Sequence, residues 1–218
     1  MNIDRSKKFD DFFTKSTKMR PIDYLVLHHI EANSVNDAIF ELKKHEVSAH
    51  FIVGEDGKIF ELVDENDIAH HAGVSFWKGD ESLNKNSIGI EFVNFSPFTK
   101  KFSQEQMISA VMLCKYLKAK YRIHNSNIVA HSDIAYKDNF LDRKQDPSHF
   151  FDWKFLALNL VGIYPDVGLL EDKEMFKFGD KNEKISLIKK KLAKFGYRIL
   201  NDNDEFDQEM QCSARVFN

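Results

Sequence analysis

Two apolar runs constrain this chain more than any other feature. "IDYLVLHHI" (22–30) and "NSIGIEFVNF" (86–95) are rich in β-branched and aromatic residues, and each reads as a buried strand. Buried strands need cover on their faces, and the segments between them supply it. "NSVNDAIFELKKHE" offers Ser34 as an N-cap with Asp37 three residues on, ahead of apolar residues at helical spacing. "SQEQMISAVMLCKYLKAKY" opens with Ser103 and Gln106 in capping-box spacing and continues as a long amphipathic helix. "AHFIVGEDGKIFELV" is a hairpin around Glu55-Asp56-Gly57, where glycine supplies the positive φ of a tight turn. "NIVAH" (127–131) is a short strand, and Asp152 to Leu160 a helix. The pattern predicts an α/β layer structure, a central mixed β-sheet flanked by helices.

The ends differ from this middle. Residues 1–21 form a polar, mostly irregular extension, and the main domain runs from 22 to 168. Beyond "GIYPDVG" the composition shifts. Residues 171–182 are charged and loop-like, and then "EKISLIKKKLAKFGYRI" places Ile185, Leu187, Ile188, Leu192 and Phe195 on one helical face before Gly196 stops it. A second helix is expected from Phe206 to Val216. Two short helices bury little alone, so residues 169–218 either pack on the main domain or belong to a module cut short.

Composition excludes some functions. A net charge of −3 offers no basic surface for nucleic acid. No apolar run approaches the ~20 residues of a membrane span. The N-terminus, "MNIDRSKKFDDFF", lacks the apolar stretch of a signal peptide, which argues for cytoplasm unless an export signal was trimmed ahead of Met1. Cys114 and Cys212, the two cysteines, make no disulfide framework. Nothing here indicates oligomerisation, so a monomer is the default.

The side chains able to carry chemistry are dispersed. His28 ends the first strand and His131 ends "NIVAH"; strand ends are where a sheet holds a side chain fixed beside an open loop. Asp146 lies in the loop after His131. Two imidazoles and one carboxylate with a fourth position open are a known catalytic metal set. Taken singly, each histidine reads equally as a hydrogen-bonded strand-end residue. His29 projects to the face opposite His28, and His45, His124 and His149 read as surface residues. Glu91, inside the apolar "SIGIEFV", is the more informative carboxylate. Burying it is costly without a partner or a task, so it is either paired with an Arg or Lys or poised as a general base.

Six blocks, "YLVLHHIEA", "VSAHFIVGEDGKI", "AHHAGVSFWKG", "SIGIEFVN", "IVAHSDIA" and "RKQDP", resemble in order and rough spacing the zinc-dependent N-acetylmuramoyl-L-alanine amidases. This is the type-2, AmpD-like group, related to phage lysozyme-type amidases and to peptidoglycan recognition proteins. The resemblance spans about residues 22–165. It implies one Zn2+ held by His28, His131 and Asp146, with Glu91 as the catalytic glutamate and Lys144 as the catalytic lysine. It implies His71, Ala72, Gly73, Phe76 and Trp77 along the substrate groove, with core packing as the alternative for Trp77. The substrate it implies is the amide joining N-acetylmuramic acid, or its 1,6-anhydro form, to L-Ala of the stem peptide. Peptidoglycan fragments or cell wall are then the partners. The tail resembles the start of a helical peptidoglycan-binding module, which argues for the cell envelope (the periplasm) as the compartment.

There are departures. The link "YKDNFLDRKQD" is longer than in relatives and lacks their proline, and Ser148-His149 stands where relatives often have Gly-Pro. Long loops cost little, so the ligand set can survive; Asp142 is the nearest alternative third ligand, and Asp146 keeps the Lys-x-Asp-Pro frame. Two other functions compete: a peptidoglycan-binding protein of the same fold that does not cut, and a metal-dependent protease of general specificity.

Overall fold

The computed structural model describes residues 1–136, 144–165 and 175–214. In chain order the elements are β1 (Ile3–Asp4), β2 (Phe13–Thr14), β3 (Tyr24–Ile30), α1 (Val35–Lys44), β4 (Phe51–Val53), β5 (Ile59–Glu61), β6 (Ile68–Ala69), β7 (Phe76–Trp77) and β8 (Asp80–Glu81). They continue with β9 (Ser87–Val93), α2 (Gln104–Tyr121), β10 (Ile128–Ala130), α3 (His131–Ile134), α4 (Trp153–Leu158), α5 (Glu183–Phe195) and α6 (Gln208–Ala214).

The central sheet runs β1-β5-β4-β9-β3-β10. It is mixed: β4 and β5 pair antiparallel as the hairpin, and every other neighbouring pair is parallel. The longest strands, β3 and β9, lie side by side at its middle, with Val26 opposite Gly89 and His28 opposite Glu91. Alternation then sorts their residues between two faces. Leu25, Leu27, Ile88, Ile90 and Phe92 pack in one core with Ala110, Leu113, Cys114 and Leu117 of α2 and Leu156 of α4. Tyr24, Val26, His28 and Glu91 belong to the other face.

That second face is covered by two separate pieces. Ala38 and Leu42 of α1 pack with Ile52, Leu62 and Val93. Ile185 and Leu192 of α5, with Tyr197 and Met210, pack on Tyr24, Val26, Trp77 and Val129. So α5 buries Ile185 and Leu192 against the sheet, whereas Leu187, expected on the same face, is exposed. Between α5 and α6 a fully buried Lys189 donates to Asn203 Oδ1 at 2.8 Å and pairs with Asp207, which satisfies its charge.

The caps follow the sequence. The Ser34 hydroxyl accepts from Asp37 N–H, and Ser103 and Gln106 make the reciprocal capping box of α2. Gly196, at φ 148°, ends α5. The N-terminal extension is mostly irregular but carries two short strands. β1 adds a parallel strand to the edge at β5, and β2 pairs antiparallel with β6. An unpaired sheet edge exposes backbone donors and acceptors, and two residues of β1 are enough to cover this one.

One fully buried imidazole lies beneath this face. His50 Nδ1 accepts from Gly89 N–H at 3.0 Å, and Nε2 lies 3.1 Å from Asp67 O and 2.8 Å from the Arg20 guanidinium. Burial, followed by the nearby Arg20 guanidinium, pushes its pKa down to about 3. A group lowered in this way stays neutral in the fold while the unfolded chain takes up a proton below about pH 6.5. Its stability contribution is therefore complete above that value and is lost as pH falls towards 3. His50→Gln in metal-free protein is expected to flatten the slope of unfolding free energy between about pH 4 and 6 by roughly 1.4 kcal/mol per unit. Urea melts across that range measure it; an unchanged slope rejects the assignment.

Candidate metal centre

Three elements deliver the donors. His28 lies near the end of β3, His131 opens α3 directly after β10, and Asp146 follows in the loop before Pro147. His28 Nδ1 is 3.0 Å from His131 Nδ1 and 3.0 Å from Asp146 Oδ2, and His131 Nδ1 is 2.9 Å from the same oxygen. Asp142, the rival third ligand, lies outside the described residues.

The outer nitrogens are also engaged. His28 Nε2 lies 3.0 Å from His71 Nδ1, and His131 Nε2 lies 3.3 Å from the Ala72 carbonyl oxygen. A carbonyl only accepts, so His131 carries its proton on Nε2 and turns the Nδ1 lone pair inward. Metal binding needs neutral imidazoles and an ionised carboxylate. Burial, then the neighbouring His131, pushes His28 down to about 4. In the metal-free centre burial acts to raise Asp146, but His131 and His28, when they carry a proton towards it, outweigh burial and hold this carboxyl well below the usual range.

The loop bearing Asp146 is tied at three points. Ser132 N–H donates to Asp146 O at 2.9 Å, and Ser148 N–H donates to His29 Nδ1 at 3.0 Å. The Ser148 hydroxyl donates to Pro97 O. His29 thus points away from the donor triangle, as strand alternation predicts. The tail reaches the centre from the other side: Tyr197 hydroxyl donates to Asp133 Oδ1 at 2.6 Å, while Asp133 Oδ2 accepts from Ala130 N–H at 2.8 Å, next to His131.

Glu91 neighbours His28 in register on β9 and is 7 % exposed. Its Oε2 is buried with no hydrogen-bond partner among the described residues. No salt bridge to Glu91 is present among the described residues either, so the paired alternative finds no support there. Burial first, and then the Asp146 charge, raises its pKa well above the usual glutamate value, while the Lys144 ammonium pulls the other way. Lys144 itself is exposed.

The groove residues divide. Gly73 is exposed and Phe76 half-buried, whereas His71, Ala72 and Trp77 are buried and differ from the groove-lining positions expected of them. Trp77 packs edge-on against Tyr197 and Phe195 of the tail, and its Nε1–H donates to Ser126 O at 3.1 Å. Its indole is core. His71 and Ala72 stand behind the ligands. Asn84 and Ser87, which hold them, escape sequence reasoning; the one signal is Gly89, since a glycine inside a buried strand marks close approach of another group. A Cβ there would lie 2.4 Å from His71 Cγ.

Two imidazoles and a carboxylate with ligand atoms within 4.8 Å of one another, beside a buried carboxyl group with an unpartnered oxygen, fit a metal ion. A helix-flanked mixed sheet presenting that set defines a class of protein with a site able to bind a metal ion. Comparison with known proteins narrows it. The N-acetylmuramoyl-L-alanine amidase family model matches residues 18–149. The amidase AmiD of Escherichia coli is 32% identical over 211 residues, 88% of this chain and 73% of that protein. The 1,6-anhydro-N-acetylmuramyl-L-alanine amidase AmpD of Haemophilus influenzae is 38% identical over 118 residues, 52% of this chain and 59% of that protein. The solved complex of E. coli AmiD with its substrate anhydro-N-acetylmuramic acid-L-Ala-D-gamma-Glu-L-Lys superposes with a TM-score of 0.67 at 27% identity, covering 93% of this chain and 91% of that one. This chain belongs to the N-acetylmuramoyl-L-alanine amidase family and is an amide hydrolase. Among the described residues no helix is long and apolar enough to cross a membrane.

Proposed function

We propose that this chain cleaves the amide between N-acetylmuramic acid, including its 1,6-anhydro form, and L-Ala of the peptidoglycan stem peptide, using one zinc ion held by His28, His131 and Asp146. The observation that carries this reading is the donor triangle, with sides of 2.9–3.0 Å, set beside buried Glu91. Zinc bound there supplies a Lewis acid that lowers the pKa of water from 15.7 towards roughly 7 and polarises a carbonyl.

The chain's own residues do the rest. Glu91 Oε2, buried and unpartnered, takes the proton of the attacking water. Lys144, two residues before Asp146 and exposed, brings the ammonium that stabilises the carbonyl oxygen as negative charge develops. The sheet and the ties on the Asp146 loop hold these groups in place, so little reorganisation is needed at the moment of reaction. Phe76 and Gly73, which keep exposed surface, are the residues assigned to contact with the muropeptide.

The test uses purified protein with zinc measured per chain, given soluble anhydro-muropeptide, intact sacculi and a peptide lacking the muramyl group. One zinc per chain and release of stem peptide with a free L-Ala amine are expected, with the plain peptide left intact. Zinc-loaded protein that binds muropeptide and releases nothing is a non-cutting binder. Cleavage of the plain peptide marks a general protease. Either result sinks the proposal.

A further inference from the structure

His71 and Ala72 are adjacent in the chain, and each holds one histidine of the centre. His28 Nε2 meets the His71 ring at Nδ1, and His131 Nε2 meets the Ala72 carbonyl. The dipeptide is itself pinned, because Asn84 Oδ1 accepts from both His71 N–H at 3.0 Å and Ala72 N–H at 2.7 Å.

The direction of each hydrogen bond can be followed to a group that has no choice. The Leu83 carbonyl only accepts, so the Ser87 hydroxyl donates to it at 2.6 Å. The Ser87 oxygen is then free to accept from His71 Nε2–H, 3.2 Å away. A neutral imidazole protonated on Nε2 keeps a lone pair on Nδ1, which accepts from His28 Nε2–H. His28 is thereby left with its own Nδ1 lone pair aimed at the other two donors. The chain of four groups lies in the buried interior: Ser87 is 0 % exposed and His71 8 %. Gly89 makes the room, as no side chain fits between β9 and the His71 ring.

We infer that His71, with Ser87 behind it, is a positioning residue that fixes His28 in the Nε2–H tautomer, and that Asn84 holds His71 and Ala72 together so that both imidazoles present Nδ1 to one ion. This rests on the metal reading of the centre. It gives His71 a role in metal affinity and none in contacting substrate. Outer partners of this kind change metal affinity by about 10–100-fold when removed.

The experiment measures zinc affinity by chelator competition, and the visible spectrum of the cobalt-substituted protein, for wild type, His71→Ala, His71→Asn and Ser87→Ala. Asparagine carries its oxygen where the histidine carries Nδ1, so it keeps the acceptor for His28. Zinc Kd is expected to rise about 10–100-fold in His71→Ala, to return to within a few-fold of wild type in His71→Asn, and to rise about tenfold in Ser87→Ala. The cobalt bands are expected to shift in His71→Ala and Ser87→Ala. Wild-type affinity in His71→Ala overturns the inference, and so does an asparagine variant as weak as the alanine one, which would make the effect one of packing. If His71→Ala does not fold, Ser87→Ala decides, because Ser87 touches neither ligand; wild-type affinity there overturns the inference. A wild-type protein that takes up no zinc overturns the metal reading instead.

Discussion

Asp146→Ala is expected to lose zinc and turnover together. Its Oδ2 is the one negative charge among the three donors, 3.0 Å from one imidazole nitrogen and 2.9 Å from the other. Without it, two neutral imidazoles remain, and two ligands hold a divalent ion far less well than three. Loss of an outer partner already costs about 10–100-fold, so loss of a ligand is expected to raise zinc Kd by more than about 100-fold. Hydrolysis of anhydro-muropeptide falls with it at low free zinc. The fold survives, because Asp146 sits in a loop whose ties use backbone atoms and Ser148, neither altered by the substitution. Metal content after gel filtration, read beside the circular dichroism spectrum, separates loss of metal from loss of structure. A folded Asp146→Ala that keeps its zinc and its activity removes Asp146 from the ligand set and returns attention to Asp142, which lies outside the described residues.

The centre and its scaffold were unequally legible in the sequence. β3 and β9 announced themselves because their apolar runs fill both sheet faces, and Ser34, Ser103 and Gly196 marked helix ends through chemistry that needs no tertiary context. β1 and β2 did not, since strands of two residues gain their stability from edges provided by β5 and β6, some 55 residues away. α3 was equally hidden: four residues give no helical period, and His131 read as a strand end when it is the first residue of a helix. The β7–β8 hairpin turns through Lys78 and Gly79, both at positive φ, and only the glycine carried a signal.

Among the candidate site residues the limit was direction. Spacing and resemblance brought His28, His131 and Asp146 together correctly, yet the same block, "AHHAGVSFWKG", mixes outward and inward residues. Whether Trp77 faced a groove or the core was decided by Phe195 and Tyr197, more than a hundred residues further along. His71, expected along the groove, packs instead into the space that Gly89 leaves above β9.

Glu91→Gln is expected to do the reverse of Asp146→Ala, keeping zinc and losing turnover. Glu91 is not among the three donors; it stands beside His28 in strand register with one oxygen buried and unpartnered. A glutamine has the same shape and cannot take a proton, so the change removes general-base catalysis and leaves the donor triangle intact. Positioned acid–base groups contribute about 10²–10⁴ in rate, which sets the expected fall in kcat. Stability gives the control. A carboxyl group buried without a partner opposes folding whenever it must carry charge, and a neutral amide does not. Metal-free Glu91→Gln is therefore expected to melt at or above the wild-type temperature at neutral pH, so a loss of activity cannot be put down to a damaged fold. The three readings (zinc per chain, kcat on anhydro-muropeptide, melting temperature) must come out as unchanged, collapsed, and equal or higher. A variant that retains more than about a tenth of wild-type kcat takes the base away from Glu91, and one that sheds its zinc places Glu91 in the support of the metal instead.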